Sequence, residues 1–389
     1  MQISGAYFDA EIDRTGTCCE KWDAREQVFG RGDVLPMWVA DMDFACAPQI
    51  VEALRARAAH PIYGYTKDGQ ENRAAEAAFL KRRFGLEIEP EWILPSPSVV
   101  DSMLFALRAF TREGERVLIQ PPVYGPFRET IVRAGRVAVE SPLLEGEAGY
   151  EMDFDGLEAA FAAGVRCMFL CSPHNPVGRV WTRAELERLY ALAQRYGVRV
   201  VADEIHAAFT FEPHVHTPSL LIDPRAVMLT SATKAFNLAG LRLSSIVVRD
   251  QQARAQLKEA LHEVNADHAN LFAMLAQRAA YEQGDAWLDA CVTYIRENRD
   301  LAYDFLGRRL AGKVRLHPLE GTYLMWLDMR AMGMEHETLF RRLVDVGGVG
   351  LNSGLFFGEQ GRGFFRLNLA TQRKNVQAAL EGIERALRD

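Results

Sequence analysis

Val-Met-Leu-Thr-Ser-Ala-Thr-Lys-Ala-Phe-Asn-Leu-Ala-Gly-Leu-Arg, residues 227–242, runs a short apolar strand straight into two hydroxyl side chains and a single lysine. Ser231 and Thr233 immediately precede Lys234, and Arg242 follows eight positions on. A lone lysine is ordinarily a solvated surface side chain. That reading leaves the apolar run into the hydroxyl cluster unexplained. A lysine amine can form a Schiff base with a carbonyl, and hydroxyls beside a guanidinium suit a phosphate. Together they are the equipment for holding pyridoxal phosphate (PLP).

Outward from this stretch, short apolar runs alternate with helical segments between about residues 90 and 250. Strands are predicted at 92–94, 116–120, 136–140, 165–171, 198–203, 227–230 and 243–248. Between two of them, 183–196 repeats Leu186, Leu189, Leu192 and Ala193 at helical spacing. Such alternation predicts an α/β fold with a mostly parallel seven-stranded sheet covered on both faces. In such sheets ligands bind beyond the carboxyl ends of the strands. A long helix over 251–283 is expected to lead out of this layer, followed by a smaller α+β domain. The expected division is a large domain at 46–283 and a small one from 1–45 and 284–389; a chain of 389 residues exceeds what one core usually organises.

Composition removes several function classes. A net charge of −7 without a basic run argues against nucleic-acid binding, and no apolar run is long enough to span a bilayer. The first residues lack a signal-peptide pattern. Six cysteines (Cys18, Cys19, Cys46, Cys167, Cys171, Cys291) show no zinc-ligand spacing, so no metal is expected. Cys167 and Cys171 alternate onto one face of a strand as small core residues. A reduced, cytoplasmic protein is the economical reading.

Four more segments end strands with polar residues. Val200-Val201-Ala202-Asp203-Glu204-Ile205-His206 closes an apolar run in acid. A carboxylate beside a pyridine nitrogen keeps it protonated, which suits Asp203, with His206 near the ring or its phenolic oxygen. Alone, Asp203 equally suits a helix cap. In Ser172-Pro173-His174-Asn175-Pro176-Val177-Gly178 two prolines fix the backbone around Asn175, whose amide could reach the phenolic oxygen; as a bare Asn-Pro turn it is commonplace. Ser98-Val99-Val100-Asp101 leads into an apolar helix over 103–110, whose first N–H groups form a natural phosphate site. Tyr124, after Pro121-Pro122-Val123, suits stacking on a ring, although taken alone it reads as core. Finally, Gly363-Phe364-Phe365-Arg366-Leu367-Asn368-Leu369 sets one arginine in an apolar strand. Such a cation needs an anion: a substrate α-carboxylate or an internal salt bridge. There is no Gly-x-Gly-x-x-Gly, P-loop, His-Glu-x-x-His or Gly-x-Ser-x-Gly.

These segments together resemble the fold type I PLP-dependent enzymes of the aminotransferase class I/II superfamily. More narrowly, they resemble the MalY/PatB-type cystathionine β-lyase (C–S β-lyase) family. The likeness covers nearly the whole chain. It runs through Lys21-Trp22-Asp23, Met37-Trp38-Val39-Ala40-Asp41-Met42-Asp43-Phe44, Tyr63-Gly64-Tyr65, Gln120-Pro121-Pro122-Val123-Tyr124, Asp203-Glu204-Ile205-His206 and Gly321-Thr322-Tyr323-Leu324-Met325-Trp326. The resemblance implies Lys234 as Schiff-base lysine and proton shuttle, Asp203 at the pyridine nitrogen, Asn175 at the phenolic oxygen and Tyr124 on the ring face. Ser231, Thr233, Arg242 and the Val99–Val100 backbone would hold the phosphate, and Arg366 the substrate carboxylate. Trp38, Val39 and Ala40 would line the substrate entrance. Tyr63 would reach the cofactor of a partner subunit, implying a homodimer.

Two departures bear on the phosphate loop. Ser98 and Asp101 stand where the family usually has glycine and proline, and a serine forced to positive φ at 98 would strain or reshape the loop. The activity implied is α,β-elimination from L-cystathionine or another L-cysteine S-conjugate, giving thiol, pyruvate and ammonia. The same residues would serve an aminotransferase or a replacement or cyclisation enzyme, and a regulatory binding protein on the same fold is the third reading.

Overall fold

The protein was analysed as a computed structural model that describes residues 3, 5–67, 69–146 and 149–388. Of the amino-terminal stretch read for a leader, Met1, Gln2 and Ser4 lie outside the described residues. The seven strands read from the sequence form one sheet: β1 (Ile93–Ser96), β2 (Arg116–Ile119), β3 (Val137–Glu140), β4 (Val165–Cys171), β5 (Arg199–Asp203), β6 (Val227–Thr230) and β7 (Ser244–Val248). Their order is β1-β7-β6-β5-β4-β2-β3, and only β7 runs antiparallel to its neighbours. Helices α1 (Val99–Phe110), α2 (Arg183–Tyr196), α3 (Ala232–Ala235), α4 (Gln251–His262), α5 (Leu271–Gln283) and α6 (Asp285–Arg309) belong to the same stretch of chain or lead out of it.

Both faces of the sheet are buried, which is why its strands read as unbroken apolar runs. Cys167, Phe169 and Cys171 of β4 join one cluster with Met103 and Leu107 of α1 and Leu257 of α4. The alternate residues Met168 and Leu170 join the opposite cluster with Leu186 and Leu189 of α2. Burial pushes the Cys167 thiol up to about 12 and Cys171 upward as well, as expected of inert core cysteines. All six cysteines are free.

The helix expected over 251–283 is two helices. α4 stops at His262, Asn265 takes a left-handed φ of 52°, and Asn270 restarts the chain by capping α5 through Phe272 and Ala273 N–H. The cap wins over the continuing apolar pattern because it satisfies two amide donors at once.

A second sheet follows: β8 (Arg315–Leu316), β9 (Leu324–Asp328), β10 (Asn352–Ser353) and β11 (Phe364–Asn368), in the order β8-β9-β11-β10 and antiparallel throughout. The amino-terminal segment is tied to this part of the chain. Leu35–Pro36 pairs in parallel with Val349–Gly350, and Asn368 N–H donates to Met37 O. Among the described residues no helix is long and apolar enough to cross a membrane.

Candidate active site

β6 ends at Thr230, Ser231 caps α3 through the Thr233 N–H, and Lys234 lies on that single helical turn. Because β7 returns antiparallel, Arg242 comes back to the edge that β6 left. Ser244 of β7 pairs with Ser96 of β1, which brings the start of α1 alongside. The ends of β5 (Asp203) and β4 (Cys171, leading to Asn175) open on this edge too, because the two strands are parallel and in register there.

The Lys234 amine and the Arg366 guanidinium are both buried, and the Arg366 charge acts on the Lys234 amine. Lys234 Nζ donates to the Ala40 carbonyl at 2.6 Å. Burial lowers its ammonium to about 8, Arg366 pushes it the same way, and Asp41 and Asp203 oppose them. Burial raises the Asp203 carboxyl to about 7 against the Ile205 N–H, which donates to it, and the Lys234 charge. Arg366 is 2% exposed. Its guanidinium donates to Asn175 Oδ1 at 3.0 Å and Trp38 O at 2.8 Å and lies 4.9 Å from the Phe357 ring centre. No carboxylate pairs with it among the described residues, so the internal salt bridge considered for this arginine is not formed. Burial lowers it to about 10, still charged at neutral pH. His206 is pushed well below its ordinary value by burial, then by Lys234 and Arg366, and is neutral. Tyr124 is partly buried, its hydroxyl raised by burial, with its ring 5.8 Å from that of Phe356.

The loop read as a phosphate holder is built differently from the strained case. Ser98 has φ −159°, extended backbone that any residue adopts, so serine costs nothing there. Its Oγ accepts from the Asp101 N–H at 3.1 Å and donates to Asp101 Oδ2 at 2.6 Å. α1 begins at Val99 rather than 103, so Val99 and Val100 supply first-turn N–H groups that lack intrahelical acceptors. Arg242 Nη2 donates to Asp101 Oδ2 at 3.1 Å, and Ser231 Oγ lies 2.8 Å from Thr233 Oγ1.

Trp38, Val39 and Ala40 contribute through their carbonyls. Trp38 O takes Arg366, Val39 O takes Asn368 Nδ2 at 2.7 Å, and Ala40 O takes both Lys234 and the Tyr323 hydroxyl, the latter at 2.9 Å. Tyr63 stands apart: it is 57% exposed and donates its hydroxyl to Ala58 O of its own chain.

Three residues had no role assigned from the sequence. Asn368 brackets Ala40 by binding Val39 O and Asp41 O, and Asn237 binds the backbone of Met42 and Phe44. Tyr323 is wholly buried under Ala40. Asn368 had a signal: two residues after Arg366 on a strand, it shares that arginine's face. Outside this group of residues, Glu145, His317 and Asp328 lie close enough to share an ion, but Arg330 already bridges the two carboxylates at 2.6 and 2.7 Å.

Comparison with known proteins follows the same lines. Residues 33–383 match the family model described as aminotransferase class I and II. The chain is 40% identical over 385 residues to cystathionine beta-lyase PatB of Bacillus subtilis (strain 168), covering 98% of this chain and 99% of that protein. It is 33% identical to protein MalY of Escherichia coli (strain K12), covering 98% of each. The crystal structure of cystalysin from Treponema denticola, which contains a pyridoxal 5'-phosphate cofactor, superposes with a TM-score of 0.94 at 30% identity, covering 98% of both chains.

Proposed function

Because the chain belongs to the aminotransferase class I and II family, we propose that it is a PLP-dependent carbon–sulfur β-lyase. It cleaves L-cystathionine or a related L-cysteine S-conjugate, with water, into a thiol, pyruvate and ammonia. What carries this reading is the burial together of Lys234, Asp203 and Arg366 in a chain that matches a cystathionine β-lyase from end to end.

The residues fit the cofactor. The site brings together a carboxyl that burial has raised, an amine that burial has lowered, and two buried nitrogens without hydrogen-bond partners, Arg366 Nε and His206 Nδ1. Asn175 gives its oxygen to Arg366, which leaves its amide N–H groups to donate. The bound cofactor supplies the electron sink that lets the α-C–H bond of an amino acid break.

The chain does the rest. The α1 N-terminus, with Ser231, Thr233 and Arg242, holds the phosphate. Asp203 provides the negative charge that keeps a ring nitrogen protonated. Asn175 and His206 address the phenolic oxygen, and Tyr124 covers the ring. Arg366 clamps the α-carboxylate, a bidentate task that fits a guanidinium whose Nε is unpartnered and whose terminal nitrogens each make a single hydrogen bond and keep a second N–H. Lys234, carrying the catalytic amine, takes the α-proton and hands a proton to the departing sulfur, so that the thiol leaves neutral; a base near neutral pH is what burial has made of it.

The same reading takes 46–283 as the cofactor domain and 1–45 with 284–389 as the smaller domain. It places the enzyme in the cytoplasm, a setting consistent with six free cysteines. It makes the protein a homodimer whose Tyr63 serves the partner's site. In support, Ile62, Tyr63 and Tyr65 are all largely exposed, and both tyrosines border a cavity of about 810 Å³.

The test is pyruvate release from L-cystathionine by the PLP-loaded protein with no 2-oxo acid added, followed alongside the cofactor's visible absorbance. Amino-group transfer without pyruvate would instead make it an aminotransferase. A protein that takes up no PLP would refute the reading.

A further inference from the structure

We infer that Asp101 competes with the cofactor's phosphate for Arg242 and Ser98, so that this one carboxylate sets how tightly the chain holds PLP. The inference rests on the β-lyase reading for the identity of the anion, and on the geometry of α1 for the competition.

Asp101 is the third residue of α1. Its position is favourable to a carboxylate for two reasons: the peptide dipoles of the helix point their positive end at it, and Ser98 caps the same turn. One oxygen, Oδ2, collects both available donors, Ser98 Oγ at 2.6 Å and Arg242 Nη2 at 3.1 Å. Arg242 has a left-handed backbone, φ 53°, two residues before β7. Its side chain is 67% exposed, and Asp101 is the one carboxylate paired with it among the described residues. Helix start, capping hydroxyl and arginine are the donor set a phosphate would use. Here they converge on an anion the chain already owns.

A phosphate that takes Arg242 must share the guanidinium with Asp101 or displace it, and two like charges within one helical turn repel. The pair is partly solvated, so the repulsion is screened and the effect is modest, roughly fivefold in affinity. Asp101→Asn keeps the volume and the capping geometry while removing the charge. If the carboxylate competes, the variant binds more tightly. If it merely holds Arg242 in place for the phosphate, the variant binds more weakly.

The experiment compares the cofactor-stripped full chain with Asp101→Asn. Each is titrated with PLP by absorbance and separately with inorganic phosphate by calorimetry. Competition predicts roughly fivefold tighter binding of both probes by the variant. It also predicts a difference that shrinks with added salt and disappears when Arg242→Gln is present in both proteins. Equal or weaker binding by Asp101→Asn overturns the inference, as does failure of both proteins to bind either probe. If PLP alone fails to bind, the β-lyase reading falls, and the phosphate titration still decides the role of Asp101. Asp101→Ala replaces the asparagine variant if that protein does not fold.

Discussion

Burial lowers the Lys234 ammonium to about 8, and Arg366 adds to the effect, so the amine loses its proton far below the ordinary lysine range. Only the neutral amine accepts a proton. Turnover limited by proton abstraction should therefore rise with pH through a midpoint near 8, and a kcat profile flat in that region would count against Lys234 as base. Lys234→Ala should lower kcat by at least about 10³-fold and remove the limb. Asp203 carries the opposite sign. Its carboxyl, raised from 3.8 to about 7, stays protonated in the folded chain after the unfolded chain has ionised. The folded state then binds more protons, so Asp203 makes stability fall as pH rises from about 4 to 7, and the penalty stays in full above that. Asp203→Asn should abolish turnover yet raise the Tm of the cofactor-free protein at pH 8 by on the order of a few degrees. An unchanged or lower Tm would mean the carboxyl is not strained by burial. These residues are legible in the sequence because Asp203 directly ends an apolar run and Lys234 follows one across a short hydroxyl cluster. Tyr323 is not, because its partner is a backbone carbonyl that any residue at position 40 would supply.

The hairpin-like passage from β6 through α3 to β7 is the element that makes the site, since it returns Arg242 to the edge where Lys234 sits. Asn237 closes this passage at φ 59°, a left-handed conformation that asparagine tolerates better than most residues. Its side chain accepts from Met42 N–H at 3.1 Å and donates to Met42 O at 2.9 Å and Phe44 O at 3.1 Å. One residue thus fixes both the turn after Lys234 and the segment whose Ala40 carbonyl holds the lysine amine. Asn237→Ala should cost about 2–4 kcal/mol in denaturant unfolding, from lost hydrogen bonds and an unfavourable φ. Asn237→Gly relieves the second term alone, so it should be the milder variant; equal losses would assign the whole cost to the side chain. The seven strands could be placed from the sequence because burial on both faces leaves a continuous apolar signal. The break between α4 and α5 could not. Val264 and Ala266 continue the apolar pattern across it, no glycine or proline marks it, and the cap at Asn270 is a common residue that gains meaning only once its N–H partners are placed.

Across the whole molecule, the amino-terminal segment is the part that lies farthest in sequence from what it serves. Asp43 gathers it: Lys21 Nζ at 2.6 Å, Arg14 Nη1 at 2.7 Å and Trp22 Nε1 at 2.9 Å all reach its carboxylate, while its backbone binds Ala370 and Gln372. The site therefore needs both ends of the chain, and the Trp38 and Ala40 carbonyls are presented to Arg366 and Lys234 by a segment fixed through this ion cluster. The sequence shows Lys21 and Asp43 within likeness-bearing segments, but nothing in their spacing reveals that they meet, because a contact across the fold leaves no periodicity. Lys21 is fully buried, so the pair is costly to open from one side. Burial pushes the Asp43 carboxyl up, and Lys21, Trp22 and Arg14 more than reverse it, so its value ends below the ordinary carboxylate range. A depressed carboxyl contributes stability that is complete above its unfolded value and is lost as pH falls through the folded one. Lys21→Met strips away the closest cation and should destabilise by about 3 kcal/mol at neutral pH. It should also move the acid-unfolding midpoint to higher pH, because Asp43 then protonates earlier. Replacing both partners, Lys21→Met with Asp43→Leu, removes the stranded charge as well as the pair. If the single variant's loss comes from that charge, the double variant should recover part of it in circular-dichroism acid titration; a double variant no more stable than Lys21→Met would mean that losing the Arg14 and Trp22 hydrogen bonds to Asp43 offsets whatever removing the charge restores.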